Sequence, residues 1–276
     1  MDLGNIGEEP ILLFGGPYSN LDALLALKEN AEALYIPPER IICTGDIVAY
    51  CGQPYETVET IRDWGIHVIM GNCEESFATK AEDCGCGFDE GSSCDLLSAQ
   101  WFQFANKQLN ENQRKWFSKL PRTLYFQINN KKCQVIHGSL NSINQFIFPS
   151  NTDTEFRHQL SLSNADIIIG GHSGLPFSKI IDKKLWHNAG AIGMPANDGK
   201  SNTWYSLLSA EKTVITIETC KLDYNHQQAS NKMLAAGLDN GYRQALNDGY
   251  WPSMDVLPQK EKSQQGQALQ KSITKY

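Results

Sequence analysis

The 276-residue sequence has no cluster of basic residues and no apolar run long enough to cross a membrane. Its formal net charge of −7 provides no positive field for a phosphate backbone, so we do not expect it to bind nucleic acid. Residues 1–10 contain neither the basic nor the apolar segment of an export signal. These absences favour a cytoplasmic protein that binds neither nucleic acid nor membranes.

Cysteine occurs eight times, but a disulfide framework is not expected in a chain of this size without an export signal. Cys84, Cys86 and Cys94 lie close together in a glycine-rich, acidic insertion at residues 75–95. Only one residue separates the first two, whereas a zinc knuckle has two or more between its paired cysteines. Three interpretations remain open for this group: a second metal site, a redox-sensitive set of thiols, or a structural loop.

The first half of the chain alternates buried strands with helices. We predict strands at residues 11–14, 41–43 and 67–70, separated by helices at residues 21–32 and 54–64. A βαβαβ order gives parallel strands joined by right-handed crossovers, with their carboxyl ends at one edge of the sheet. Residues that directly follow these strands should therefore lie close together.

The second half changes to short strands separated by turns, beginning with a hairpin that has an Asn-Asn turn. This order predicts an α/β fold in which two mixed β-sheets pack face to face and helices cover the outside, a four-layer αββα sandwich. We assign this domain to residues 1–220 and a helical extension packed on it to residues 221–258. The polar residues 259–276 are predicted to form a mobile tail.

Four predicted strands are followed by a polar side chain with a glycine beside it. These side chains are Asp46, Asn72, His137 and His172. Carboxylate, amide and imidazole groups are ligands for the metal ions that activate water for attack on phosphate. Because two of the four are imidazoles, the set favours a divalent transition metal such as Mn, Fe or Zn over Mg.

Five segments occur in a recognisable order: "TGDIVAYCGQP", "MGNCEE", "VIHGS", "GGHSGLP" and "HNAGAIGMP". Over roughly residues 10–210 this order resembles the calcineurin-like metallophosphoesterases, in particular their bacterial diadenosine-tetraphosphatase-related branch. The resemblance implies a metal-dependent phosphoesterase fold and an ion held by Asp46, Asn72, His137 and His172.

Three positions depart from the family pattern. The first motif, Asp-x-His-Gly-Asn-Leu in the family, reads Gly-Pro-Tyr-Ser-Asn-Leu here, so Gly16 replaces an aspartate ligand and Tyr18 a histidine ligand. Gly174 replaces the second histidine of the last motif, Gly-His-x-His. In the family these three side chains all bind the first of two ions. The resemblance therefore implies that the first metal site is dismantled and that the second remains.

These features predict a metal-dependent phosphohydrolase that acts on a small phosphoester or nucleotide with an impaired, single-metal site. The alternative is an inactive pseudo-phosphatase that binds metal, phosphate or nucleotide as a sensor or partner protein. By the resemblance, Asn20 contacts the substrate. Two roles remain open for Tyr18: its phenol contacts the substrate, or the residue fills the emptied ligand position. Cys73 replaces the histidine often found after the Gly-Asn pair, so the catalytic acid is not assigned; Cys73, Glu74 and Tyr18 are the candidates.

Overall fold

Twelve strands form two six-stranded β-sheets in the computed structural model, which describes residues 1–276. In chain order the strands are β1 (Asp2–Asn5), β2 (Ile11–Phe14), β3 (Ile41–Cys43), β4 (His67–Val68), β5 (Leu124–Ile128), β6 (Lys131–Val135), β7 (Ile167–Gly170), β8 (Phe177–Ile181), β9 (Lys184–Asn188), β10 (Thr203–Glu211), β11 (Val214–Leu222) and β12 (Ser272–Lys275).

Nine α-helices accompany the strands, and none of them has the length and apolar character that a membrane span requires. They are α1 (Leu21–Ala33), α2 (Pro54–Trp64), α3 (Asn72–Thr79), α4 (Ser93–Gln108), α5 (Glu111–Phe117), α6 (Asp153–Ser161), α7 (His226–Ala235), α8 (Gly241–Asp248) and α9 (Gln259–Ser263).

Both sheets contain parallel and antiparallel pairs. One has the order β12-β11-β10-β2-β3-β4, in which β2, β3 and β4 are parallel. The other has the order β1-β5-β6-β7-β9-β8, in which β6, β7 and β9 are parallel. The predicted α/β class with two mixed sheets is confirmed.

Strand β2 shows why the chain folds into layers. All four of its residues are buried, and alternate side chains point to opposite faces of the sheet. Ile11 and Leu13 pack between the sheets with residues such as Phe126, whereas Leu12 and Phe14 belong to the larger core under the helices. A strand covered on both faces needs this unbroken apolar sequence, as parallel strands usually do.

The extension after β11 packs on the first part of the chain. Met233 of α7 and Tyr242 of α8 are buried in the same core as the helices of the first half. Lys232 of α7 also forms an ion pair with Asp22 of α1, with Nζ 2.9 Å from Oδ1. This packing brings residues of the extension close to the metal-ligand candidates described below.

The C-terminal residues differ from the predicted mobile tail, because the structure places them in α9 and β12. Strand β12 pairs antiparallel with β11, with Ile273 opposite Glu218. The edge of β11 carries backbone N–H and C=O groups that need partners, and the tail provides them. The polar side chains of the tail are compatible with this position because an edge strand is largely exposed.

Candidate metal centre

The four ligand candidates meet where the two sheets face each other. Asp46 lies in the loop after β3, Asn72 begins α3 after β4, and His137 and His172 lie in the loops after β6 and β7. Asp46, Asn72 and His137 are buried, and His172 is partly buried, with 3% of its side chain exposed. The structure therefore brings together the predicted set from both sheets.

Distances within this group suit ligands of one ion. His137 Nε2 lies 3.2 Å from Asp46 Oδ2, 3.0 Å from Asn72 Oδ1 and 3.1 Å from His172 Nδ1. His172 Nδ1 lies 3.8 Å from the same Asp46 oxygen. Ligand atoms bound tetrahedrally to one ion at about 2.0–2.2 Å are separated by roughly 3.3–3.6 Å, which is close to these values.

Hydrogen bonds outside the group show which atoms face its centre. His137 Nδ1 donates to the Thr44 carbonyl over 2.6 Å, so Nε2 faces the group and presents a lone pair when the ring is neutral. Asn72 Nδ2 donates to the Cys84 carbonyl over 2.9 Å, so Oδ1 faces His137. Two acceptor atoms and the Asp46 carboxylate thus point at one another. A cation bound by all of these atoms would remove the repulsion between them, so the residues fit the ion that the resemblance implies.

The charge of Asp46 also fits a metal ligand. Burial alone would raise the pKa of this carboxyl, but His137 and then His172 hold it well below its usual range. The carboxylate is therefore ionised, as metal binding requires.

Two of the ligand residues have strained backbones. Asp46 has φ 57° and His172 has φ 58°, in the left-handed region that side chains rarely adopt. The glycine before Asp46 is also required, since a Cβ at Gly45 would lie 2.7 Å from the Gly71 nitrogen and 2.9 Å from His137 Nδ1. The loop conformation is thus maintained by close packing at the site itself.

Glu74 fixes the Asp46 loop and does not face the centre of the group. Oε2 accepts hydrogen bonds from the Asp46 and Gly71 N–H groups over 2.8 and 3.0 Å, and Oε1 accepts from Ile47 and Val48 over 2.8 and 3.3 Å. Burial, and then the Asp46 charge, raise the pKa of Glu74 to about 7. Because both oxygens are occupied by backbone donors, Glu74 is a positioning residue and not the catalytic acid.

Tyr18 lies beside the positions where the resemblance implies ligands of a first metal. A Cβ built on Gly16 would lie 2.6 Å from two carbons of the Tyr18 ring, so the ring covers this glycine. The hydroxyl, at the same end of the ring, lies 3.7 Å from the Cβ position of Gly174. One phenol therefore lies beside two of the three positions where the resemblance implies ligands, and itself stands at the third.

The Asn20 side-chain amide is bonded to other residues of the protein, which differs from the predicted contact with substrate. Its Oδ1 accepts from the Ala23 N–H as the N-cap of α1, and its Nδ2 donates to the Gly193 carbonyl and to the Tyr224 hydroxyl. These bonds hold the loop before α1 against the loop at residue 193. The side chain is 1% exposed and has a structural role.

Cys73 is a buried thiol beside the ligands. Its backbone N–H lies 3.4 Å from Asp46 Oδ1, and its Sγ lies 3.6 Å from Asn72 Nδ2. Burial, followed by the charges of Asp46 and Glu74, raises the pKa of this thiol well above its usual value. The group is thus a neutral thiol that packs against the site.

The structure does not bring the three insertion cysteines together as a set of metal ligands. Cys84 and Cys86 are joined by a disulfide, whereas Cys94 is a free thiol on α4. The group of Asp46, His137 and His172 is the one place where three such side chains could hold an ion. The sequence did not predict that the bridge would contact Asn72, whose Nδ2 lies 3.4 Å from Cys86 Sγ.

Phe146 is a further contact that sequence reasoning missed. Its ring lies against the His172 imidazole, with centroids 4.2 Å apart and planes inclined by 30°. The residue lies in an irregular segment between β6 and α6, and no spacing or motif pointed to it. Such a contact depends on how separate loops pack, which the local sequence does not record.

Comparison with known proteins identifies a family and a relative of this chain. The family model for the calcineurin-like phosphoesterase superfamily domain matches residues 19–213. An uncharacterised protein of Methanocaldococcus jannaschii, MJ0912, is 27% identical over 234 residues, which cover 79% of this chain and 88% of that protein.

Two solved structures share the fold. The hypothetical protein PH1004 of Pyrococcus horikoshii matches with a TM-score of 0.73 and 17% identity, over 88% of this chain and 99% of that one. A metallophosphoesterase from Sphaerobacter thermophilus matches with a TM-score of 0.67 and 20% identity, over the same shares of the two chains.

Proposed function

Because the chain belongs to the calcineurin-like phosphoesterase superfamily, we propose that it hydrolyses a small phosphoester or nucleotide with one divalent transition-metal ion. The observation that carries this proposal is the convergence of His137 Nε2, Asp46 Oδ2 and Asn72 Oδ1, acceptor atoms that a shared cation reconciles. With two imidazoles among the ligands, Mn, Fe or Zn suits the set better than Mg.

Each residue has a separate role in this proposal. Asp46, Asn72, His137 and His172 hold the ion, which when bound supplies a Lewis acid that polarises a phosphoryl oxygen. The Tyr18 hydroxyl, at the wall beside His172, donates a hydrogen bond to the phosphate. Turnover is expected to be slow, because a single ion cannot stabilise the attacking and leaving oxygens together as a pair does.

The test combines metal analysis with turnover of bis-p-nitrophenyl phosphate in Mn²⁺. The purified wild-type chain should hold about one ion, and Asp46→Asn should lose both the ion and the turnover because the ligand charge is gone. His158→Gln, which alters an exposed histidine outside the site, serves as the control and should behave like the wild type. Two ions per wild-type chain, or an ion retained by Asp46→Asn, would contradict the proposal.

A second candidate is a pseudo-phosphatase that binds the ion and a small phosphorylated ligand without hydrolysis. Its support is the low exposure of the ligand side chains together with the Tyr18 ring at the position of the lost ones. In this case the wild type holds one ion, but it hydrolyses neither phosphomonoesters nor phosphodiesters faster than Asp46→Asn.

A further inference from the structure

A cleft of about 60 Å³ opens beside His172, and we refer to it as the His172 cleft. The insertion and the C-terminal extension both contribute to its walls, next to the turn that follows β7. Its main lining side chains are Tyr18, Tyr50, Phe146, His172, Tyr242 and Trp251. His172 is the one metal-ligand candidate among the residues that line it, so the cleft connects the site with its surroundings.

The lining of the His172 cleft includes no lysine, arginine, aspartate or glutamate. A charged group entering it would lose its hydration without gaining an opposite charge, which is costly. A phosphate would therefore stay at the ion, and the part of a ligand that enters the cleft would be neutral. Ten of its 16 lining residues are hydrophobic, so this part would also be largely apolar.

Several aromatic rings line the cleft, and contacts with their neighbours hold them in place. Tyr50 stacks on Tyr242 with centroids 4.3 Å apart, and meets the edge of Tyr18 at 4.8 Å. The Trp251 indole N–H donates to the Pro195 carbonyl over 2.6 Å, which fixes the plane of that ring. Rings fixed in this way offer flat faces and edges to another ring without a large loss of side-chain entropy.

Two of the residues that depart from the family pattern, Tyr18 and Gly174, also shape the His172 cleft. Gly174 has no side chain, and its Cβ position lies 3.6 Å from Trp251 and 3.7 Å from the Tyr18 hydroxyl. A histidine at this position would fill the gap between these two rings. The three departures from the family pattern therefore replace a charged ligand set with a neutral, ring-lined wall.

We propose that the His172 cleft binds a planar aromatic group attached to the phosphate, so that the preferred ligands are phosphoesters of aromatic or heteroaromatic groups. This inference rests on the proposed function, because the phosphate must lie at the ion for its ring to reach the cleft. It specifies the organic group attached to the phosphate, which the four metal-binding side chains alone do not determine.

The experiment compares phenylphosphonate with methylphosphonate, which carry the same anionic group and resist hydrolysis. Binding to the full Mn²⁺-loaded chain is measured by isothermal titration calorimetry. The phenyl compound should bind at least about tenfold more tightly, because its ring leaves water for an apolar wall. Equal affinity for the two compounds would overturn the inference, and absence of binding by either would overturn it together with the proposed function.

Variants of Trp251 identify the cleft as the source of the preference. Trp251→Ala should reduce the preference for the phenyl compound to less than about threefold, while methylphosphonate affinity stays unchanged. Trp251→Phe keeps a ring and should retain most of the preference, which also covers the case in which the alanine variant does not fold. Tyr35→Ala removes a tyrosine that is 93% exposed and serves as the control. A preference that survives in Trp251→Ala would contradict the assignment to this cleft.

If phenylphosphonate binds selectively but no phosphoester is hydrolysed, the ligand class is supported and the hydrolytic proposal fails. The binding assay and the turnover assay thus separate the two conclusions.

Discussion

The ring of Tyr18 lies directly on Gly16, so that no side chain fits at residue 16 while the ring is in place. The resemblance implies an aspartate and a histidine that bind one ion at these two positions. Here residue 16 has no side chain, and the Tyr18 ring fills the space above it. The substitutions are therefore coupled through a single packing contact.

This contact predicts that Gly16→Asp alone will not restore a metal site. Its Cβ would lie 2.6 Å from ring carbons of Tyr18, and Gly16 has φ 41°, so the variant is both crowded and strained. We expect a loss of about 2–4 kcal/mol in the free energy of unfolding. Urea denaturation measures this loss, and metal analysis should still give one ion. A variant as stable as the wild type would contradict the packing argument.

Removing the Tyr18 ring while introducing all three family ligands should instead create a second metal site. The triple variant Gly16→Asp, Tyr18→His and Gly174→His frees the space above residue 16 and returns all three missing ligands. We expect about two ions per chain and faster turnover of bis-p-nitrophenyl phosphate in Mn²⁺, since a pair of ions stabilises both reacting oxygens. A triple variant that folds but binds a single ion would contradict the ligand assignment.

Glu74 should be required for the shape of the Asp46 loop. Glu74→Gln replaces one carboxylate oxygen with an NH₂ group that faces backbone N–H donors, so we expect a loss of about 2–3 kcal/mol in stability and weaker metal binding. The matched control is Glu75→Gln, because Glu75 is a partly exposed neighbour that pairs with Arg122 at the surface. Glu75→Gln should lower the free energy of unfolding by less than about 1 kcal/mol. Equal losses in the two variants, measured by urea unfolding, would contradict the positioning role.

The disulfide between Cys84 and Cys86 should support Asn72 as a ligand. Both residues accept from the Asn72 amide, through the Cys84 carbonyl and Cys86 Sγ. Reduction by a phosphine, which becomes a phosphine oxide as the bridge becomes two thiols, should lower affinity for Mn²⁺ by about tenfold or more. The variant with Cys84→Ser and Cys86→Ser should bind like the reduced chain and no longer respond to phosphine.

Cys220→Ser, which alters a cysteine on β11, is the control for this experiment and should respond to the phosphine like the wild type. Alkylation followed by mass spectrometry verifies the state of the bridge in each sample. Equal Mn²⁺ affinity of the oxidised and reduced wild type would show that the bridge does not act on Asn72.

Stability should also depend on the protonation of His187. The ring lies between the Ser178 and Ser206 hydroxyls, at 2.9 and 3.0 Å, and burial lowers the pKa of this imidazole from 6.5 to about 4. The unfolded chain therefore binds a proton at a higher pH than the native chain does. The neutral His187 imidazole makes its full contribution to stability above pH 6.5, and this contribution is lost as the pH falls towards 4.

Between pH 7.5 and 5 this effect should lower the free energy of unfolding by about 2 kcal/mol. His187→Gln should remove that part of the pH dependence, whatever its effect on stability at neutral pH. Urea unfolding of both chains at the two pH values measures the difference. The same pH dependence in the wild type and the variant would contradict this origin.

Local sequence signals were sufficient for much of the fold. Helix α2 spans Pro54–Trp64 as predicted, because proline favours the first helical position and Gly65 adopts the left-handed conformation that ends the helix. Strands β1 and β12 were not predicted, because their polar sequences become strands only by pairing with β5 and β11. An edge strand of this kind obtains its stability from its neighbour, which lies far away in sequence.

The sequence by itself determined which donor groups follow the strands. The residue type after a strand defines the kind of donor atom at the sheet edge, so the order of motifs was enough to predict Asp46, Asn72, His137 and His172 as metal ligands. Only the tertiary structure decided the roles of their neighbours. Asn20 caps a helix, Glu74 binds backbone N–H groups, and the Tyr18 ring covers a glycine. These roles depend on side-chain direction and on contacts between loops, which are set by the packing of the whole chain.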